Sequence, residues 1–196
     1  TADEEAPKSS LSAVNGRGEK ELVVLVHGYA GSLDVWVDPT RCDYFRALET
    51  AGFDVLAFDL LGCGFSDSPD SSFGSDLFAS QLVELLFLFG VHAKPVHLVA
   101  HSLGASPSLL FCHTYPHMVR DVVFLSPAVT MKPLDWKLRI ALRVPYFREC
   151  MAALIIPTFG EGTNRGNPGM LRACYRLLET QLKSGGSWIE PRMGLR

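Results

Sequence analysis

Val96-His97-Leu98-Val99-Ala100-His101-Ser102-Leu103-Gly104 is the stretch on which the fold turns. A short apolar run over residues 96–100 leads straight into a serine, with small residues two places to either side, Ala100 and Gly104. Such a run, bounded by turn signals, reads as a strand buried on both faces of a sheet. The small flanking residues fit a sharp strand-to-helix turn, which strains the serine backbone and brings strand and helix main chains close together. Ala100 stands where a glycine is commoner and adds one methyl to the crowded side. By composition alone, a Gly/Ala-x-Ser-x-Gly string occurs by chance in about one chain in ten of this length, so its surroundings must carry the reading.

Outward from that stretch the same pattern repeats. Apolar runs at 21–26, 53–58 and 122–125 each give way to glycine or small polar residues. Between the runs lie segments of helical period. Residues 44–50 form one, ended by Gly52. Residues 76–89 form another, with Ser75 as N-cap, Gly90 as C-cap and Phe78, Leu82, Leu85, Leu86 and Phe89 on one face. A third runs to Tyr115 and stops before Pro116. Strand–helix alternation predicts an α/β fold, a mostly parallel sheet with helices on both faces joined by right-handed crossovers.

After Ser126-Pro127 the alternation ends. The remainder reads as helices interrupted by Pro145, Pro157 and a glycine-rich stretch at 160–169. Asn167-Pro168 then opens an amphipathic helix on Leu171, Cys174, Leu178 and Leu182 that closes at Gly185. The expected organisation is a polar segment over 1–20, an α/β core over 21–130 and a helical layer over 131–196.

Composition narrows the partners. The 196 residues are 47% apolar, enough for one ordinary core. Eighteen Lys and Arg against 21 Asp and Glu leave a net charge of −3 without a basic cluster, which argues against nucleic acid. No stretch reaches the roughly 18 uninterrupted apolar residues of a membrane span, and the first ten residues lack the apolar centre of a signal peptide. Five cysteines without a C-x-x-C pair or zinc-like spacing fit reduced thiols, which favours a cytoplasmic setting. The missing initiator Met suggests a trimmed or partial chain.

Two further loops bear on chemistry. The first apolar run ends in His27-Gly28-Tyr29-Ala30-Gly31-Ser32, and the second in Asp59-Leu60-Leu61-Gly62-Cys63-Gly64-Phe65-Ser66-Asp67. With the serine turn, both would open on the carboxyl edge of the sheet, where ligands bind in open α/β folds. The HG loop, the D-x-x-G-x-G-x-S loop and the serine elbow, in this order and spacing, resemble the α/β-hydrolase superfamily over residues from about 20 to 130. The segment 59–69 is most similar to the lipase, lysophospholipase and epoxide-hydrolase-like branch with a helical cap.

That resemblance implies Ser102 as nucleophile, the backbone N–H groups of Tyr29 and Leu103 as an oxyanion hole, and no cofactor. A serine rather than an aspartate favours acyl transfer through an acyl-enzyme over epoxide-hydrolase or dehalogenase chemistry. On the residues alone, Ser102 also reads as a helix cap at a tight turn. Ser106-Pro107 is itself a good N-cap and N1 pair, so the helix is expected to start about a turn late or to be kinked.

The resemblance places the triad acid after the sixth or seventh strand and the base after the eighth. Here the fourth run leads into Ser126-Pro127-Ala128 with no carboxylate, and Asp135, the next acid, suits a cap surface. None of the six histidines reads as the base. His101 is expected to be packed and hydrogen-bonded and His27 to brace its loop, while His92, His97, His113 and His117 fall away from Ser102. The expectation is a serine hydrolase of a small-molecule or lipid-like ester whose triad Asp and His are missing from this chain. By itself the chain would then be nearly inactive. The alternatives are a catalytically silent lipid- or protein-binding module and an acyltransferase on the same scaffold. The apolar run at 151–156 would line an acyl channel or simply pack the cap, and the open sheet edge would favour self-association or a partner.

Overall fold

The computed structural model describes residues 20–40 and 43–129, together with the isolated positions 140, 144 and 146. The polar segment through residue 19, most of the expected helical layer over 131–196 and the apolar run at 151–156 lie outside the described residues.

Four strands, β1 (Leu22–Val26), β2 (Asp54–Phe58), β3 (Val96–His101) and β4 (Val119–Leu125), form one parallel sheet in the order β2-β1-β3-β4. Helices α1 (Asp34–Val37) and α2 (Tyr44–Thr50) join β1 to β2. Helix α3 (Ser75–Leu88) carries the chain from β2 past β1 to β3, and α4 (Ala105–Thr114) links β3 to β4. The chain therefore leaves β1 toward one edge of the sheet and β3 toward the other, which puts a topological switch point at their carboxyl ends.

β1 is apolar throughout because both of its faces are covered. Val24 and Val26 pack into a cluster with Phe78, Leu82 and Leu86 of α3 and Phe111 of α4, while Val23 and Leu25 meet Trp36 of α1 and Phe45 and Leu48 of α2. Burying each such side chain contributes about 1.5–3 kcal/mol, so this central strand anchors the layers.

Glycine closes two of the helices. Gly52 and Gly90, at φ +99° and +66°, turn the ends of α2 and α3. The Gly52 and Phe53 N–H groups donate to the Glu49 and Leu48 carbonyls, and those of Gly90 and Val91 to the Phe87 and Leu86 carbonyls. These paired bonds satisfy terminal carbonyls that a helix leaves open.

Some element boundaries differ from the sequence expectation, and one short helix was absent from it. β4 starts at Val119, earlier than the apolar run, and its charged residues find partners on the neighbouring strands' side: Arg120 reaches Glu21 at 2.8 Å and Asp121 reaches His97 at 3.1 Å. Helix α3 is capped by Gly74, and the Ser75 hydroxyl turns inward to Ser106 Oγ at 2.7 Å. Helix α1 has only four residues, too few to leave a periodic signal.

Candidate functional site: the elbow after β3

β3 ends at His101, and the next residue, Ser102, has φ +49°. This left-handed conformation is uncommon for a residue with a side chain and marks a sharp reversal. A 3₁₀ turn occupies Ser102–Gly104 and α4 begins at Ala105, so the α-helix does start about a turn after the serine. Ser106 does not cap it. Pro107 falls in the first turn of α4, where a missing N–H costs little.

The reversal depends on glycine at two close approaches. A Cβ on Gly104 would stand 2.5 Å from the His27 carbonyl oxygen and 2.8 Å from that of Val26, so only glycine lets the turn sit against β1. A Cβ on Gly28 would stand 2.9 Å from Ser102 Cβ. The HG loop and the elbow are thus in direct contact at the switch point. Leu103 is buried in the core on the α3 and α4 side, and the partly buried Tyr29 packs against the same core.

His27 is fully buried and locks two loops together. Its Nε2 accepts from the Leu60 N–H at 2.9 Å, which leaves the ring proton on Nδ1 to donate to the Gly28 carbonyl at 2.8 Å. Burial holds its pKa below the ordinary value, opposed in part by the Gly28 carbonyl and by Asp59. A neutral imidazole with both nitrogens engaged is a brace, as the sequence suggests.

Asp59 does the same for the loop after β2. Its Oδ1 accepts from the Leu33 N–H at 2.7 Å and its Oδ2 from the Phe65 N–H at 3.0 Å. Gly64, at φ +50°, closes against that carboxylate so tightly that a side chain there would overlap it. The Asp59 carbonyl accepts from Ser66 Oγ at 2.6 Å and from Gln81 Nε2 at 2.9 Å, while Gln81 Oε1 takes the Leu61 N–H at 3.0 Å. The spacing of Asp59, Gly64 and Ser66 was visible in the sequence, but the Gln81 clamp from α3 left no signal there.

Among the described residues no histidine hydrogen-bonds the Ser102 hydroxyl. His97 engages Glu21 and Asp121, His92 stacks on Phe87 with ring centroids 4.0 Å apart, His113 lies in the last turn of α4, and His117 lies in the 3₁₀ turn that follows. His101 is half-buried with Nδ1 facing Gly28. The hydrogen bond expected for it is not found among the described residues. The Ser126-Pro127-Ala128 turn carries no carboxylate, and Asp135 lies outside the described residues. Cys63 is buried and Cys112 half-buried, and burial raises the pKa of Cys112. No described helix is long and apolar enough to cross a membrane, and no described group of three or more His, Cys, Asp or Glu could hold a metal ion.

The chain belongs to the α/β-hydrolase fold family, whose profile matches residues 21–161. An uncharacterized protein of Mycobacterium tuberculosis is 28% identical over 140 residues, covering 71% of this chain and 38% of the relative. The probable lysophospholipase BODYGUARD 1 of Arabidopsis thaliana is 31% identical over 108 residues, 55% of this chain and 23% of that protein. The chain therefore spans well under half the length of either curated relative. Among solved structures, the 2-hydroxy-6-oxo-6-phenylhexa-2,4-dienoate hydrolase of Rhodococcus sp. strain RHA1 superposes with a TM-score of 0.60 at 20% identity, over 88% of this chain and 67% of that one. At that identity the likeness speaks for the fold alone.

Proposed function

We propose that the protein is a serine hydrolase of carboxylic esters, with Ser102 as nucleophile and the backbone N–H groups of Leu103 and Tyr29 as the oxyanion hole. The observation that carries this reading is the φ of +49° at Ser102, held between Gly28 and Gly104 at the switch point of the sheet. Backbone strain of this kind collects where a reacting group must be presented. Attack by the Ser102 oxygen on an ester carbonyl places negative charge on the carbonyl oxygen. Two fixed N–H donors stabilise that charge, and losing one such donor typically costs about 3–4 kcal/mol of barrier. The alcohol leaves, and water then releases the acid from the acyl-enzyme.

A lipid-like ester is the proposed substrate class, supported by the similarity of residues 59–69 to the capped lipase and lysophospholipase branch and by the printed name of the Arabidopsis relative. The general base and its acid are not found beside Ser102 among the described residues, and this chain without them is expected to be a feeble esterase. That same observation favours a second reading, a silent module that binds a lipid or protein on the same scaffold. A fluorophosphonate probe separates the two. Labelling of the wild-type protein, abolished by Ser102→Ala, supports the hydrolase; an unlabelled protein supports the silent module.

A further inference from the structure

β3 and β4 pair in register up to His101 and Leu125, and the next residue of each strand, Ser102 and Ser126, turns left-handed, at φ +49° and +46°. Both strands break from the ladder at the same step. Pro127 has no N–H, so after Ser126 the next donor on this chain is Ala128, and it donates to the Ser102 carbonyl at 2.9 Å. The same carbonyl accepts from the Ala105 N–H within the 3₁₀ turn. Two donors from different parts of the fold therefore hold one oxygen.

That oxygen belongs to the peptide unit whose other end is the Leu103 N–H. A trans peptide is a rigid plane with its C=O and N–H pointing opposite ways, and no cis bond occurs among the described residues. Pinning the Ser102 carbonyl toward the β4 turn thus fixes the Leu103 N–H on the opposite side of the plane. A donor on the carbonyl also polarises the N–H of the same unit, making it the stronger donor.

We propose that Ala128, through its N–H to the Ser102 carbonyl, is a positioning residue for the Leu103 oxyanion donor, and that the left-handed Ser126 followed by Pro127 delivers it there. This rests on the reading of Ser102 as nucleophile. A bond that merely stitched the β4 turn to the elbow would affect stability; one that aims an oxyanion donor affects the transition state.

The test is a backbone ester with lactic acid in place of Ala128, which removes that N–H and keeps the methyl side chain, made in the protein expressed from its whole reading frame; the control carries the same weakening of the preceding carbonyl. The control is the equivalent hydroxy acid in place of Val91, whose N–H donates to the Leu86 carbonyl at the end of α3. Two readouts are taken, kcat and KM on a short activated ester and the amide proton shift of Leu103. The expected result for the ester at 128 is a roughly 10–100-fold fall in kcat with KM within about twofold and an upfield move of the Leu103 amide. The ester at 91 should lose comparable stability and leave kcat and the Leu103 shift in place. A normal kcat with the 128 ester, or an equal fall with the 91 ester, overturns the proposal. If the wild-type protein has no Ser102-dependent turnover, the hydrolase reading fails separately; an unmoved Leu103 amide then overturns the positioning role, and a moved one upholds it.

Discussion

Gly28 and Ser102 touch across the switch point so closely that a Cβ on the glycine would stand 2.9 Å from the Cβ of the serine, with His101 Nδ1 at 3.1 Å. The space beside Ser102 is therefore set by the absence of one methyl. Gly28→Ala must push the elbow away from β1, and overpacking of this kind costs about 1–3 kcal/mol. The expected outcome is a variant that remains folded by circular dichroism while its fluorophosphonate labelling falls at least about tenfold. Undiminished labelling would show that the approach is not needed for reactivity.

Gly104 meets backbone rather than side chain. A Cβ there faces the His27 and Val26 carbonyl oxygens at 2.5 and 2.8 Å, neither of which can rotate away. At Gly52 no atom lies within 4 Å of an added Cβ, and only its φ of +99° opposes substitution. Urea titration should show Gly104→Ala to be the more destabilising by at least about 1 kcal/mol, since left-handed strain alone is worth about 1–2 kcal/mol.

Asp59→Asn keeps the size of the side chain but presents an NH₂ to either the Leu33 or the Phe65 N–H, where both carboxylate oxygens now accept. One part-buried donor loses its partner, at up to about 1–3 kcal/mol. Lowered thermal stability together with faster proteolysis of the 59–67 loop is expected. An unchanged melting temperature would mean that the glycines alone hold the loop.

His27 makes stability depend on pH with a definite sign. Burial, opposed in part by the Gly28 carbonyl and Asp59, holds its folded pKa below the ordinary value of about 6.5, so in the acid range the unfolded chain binds a proton that the folded one refuses. Its contribution is complete above about pH 6.5 and declines as pH falls toward the folded pKa, by at most about 1.4 kcal/mol per pH unit. Gln at position 27 keeps an acceptor for Leu60 without titrating. Denaturation at several pH values between about 7 and 5 should show a shallower acid decline for His27→Gln than for the wild type, and equal slopes would contradict the assignment.

The four strands and helices α2, α3 and α4 were legible because each repeats a local pattern: a buried apolar run, an amphipathic helix, a closing glycine such as Gly52 or Gly90. The elbow was legible because close packing demands small residues, and Gly104 records that demand in the sequence. Contacts between distant polar residues were not. Nothing local says that Gln81 clamps the Asp59 carbonyl, that Ser75 prefers Ser106 to its own helix end, or that Arg120 and Asp121 continue β4 by pairing with Glu21 and His97. Ala128 carries no side-chain chemistry, and its part depends on a main-chain donor that only the folded backbone places.

A reactive Ser102 nucleophile is open to active-site labelling. The protein expressed from its whole reading frame is treated with a fluorophosphonate probe beside its Ser102→Ala variant, and the labelled peptide is sequenced by mass spectrometry. A single adduct on Ser102, absent from the variant, is expected. A folded wild-type protein that takes up no probe, or one whose labelling survives Ser102→Ala, would contradict it.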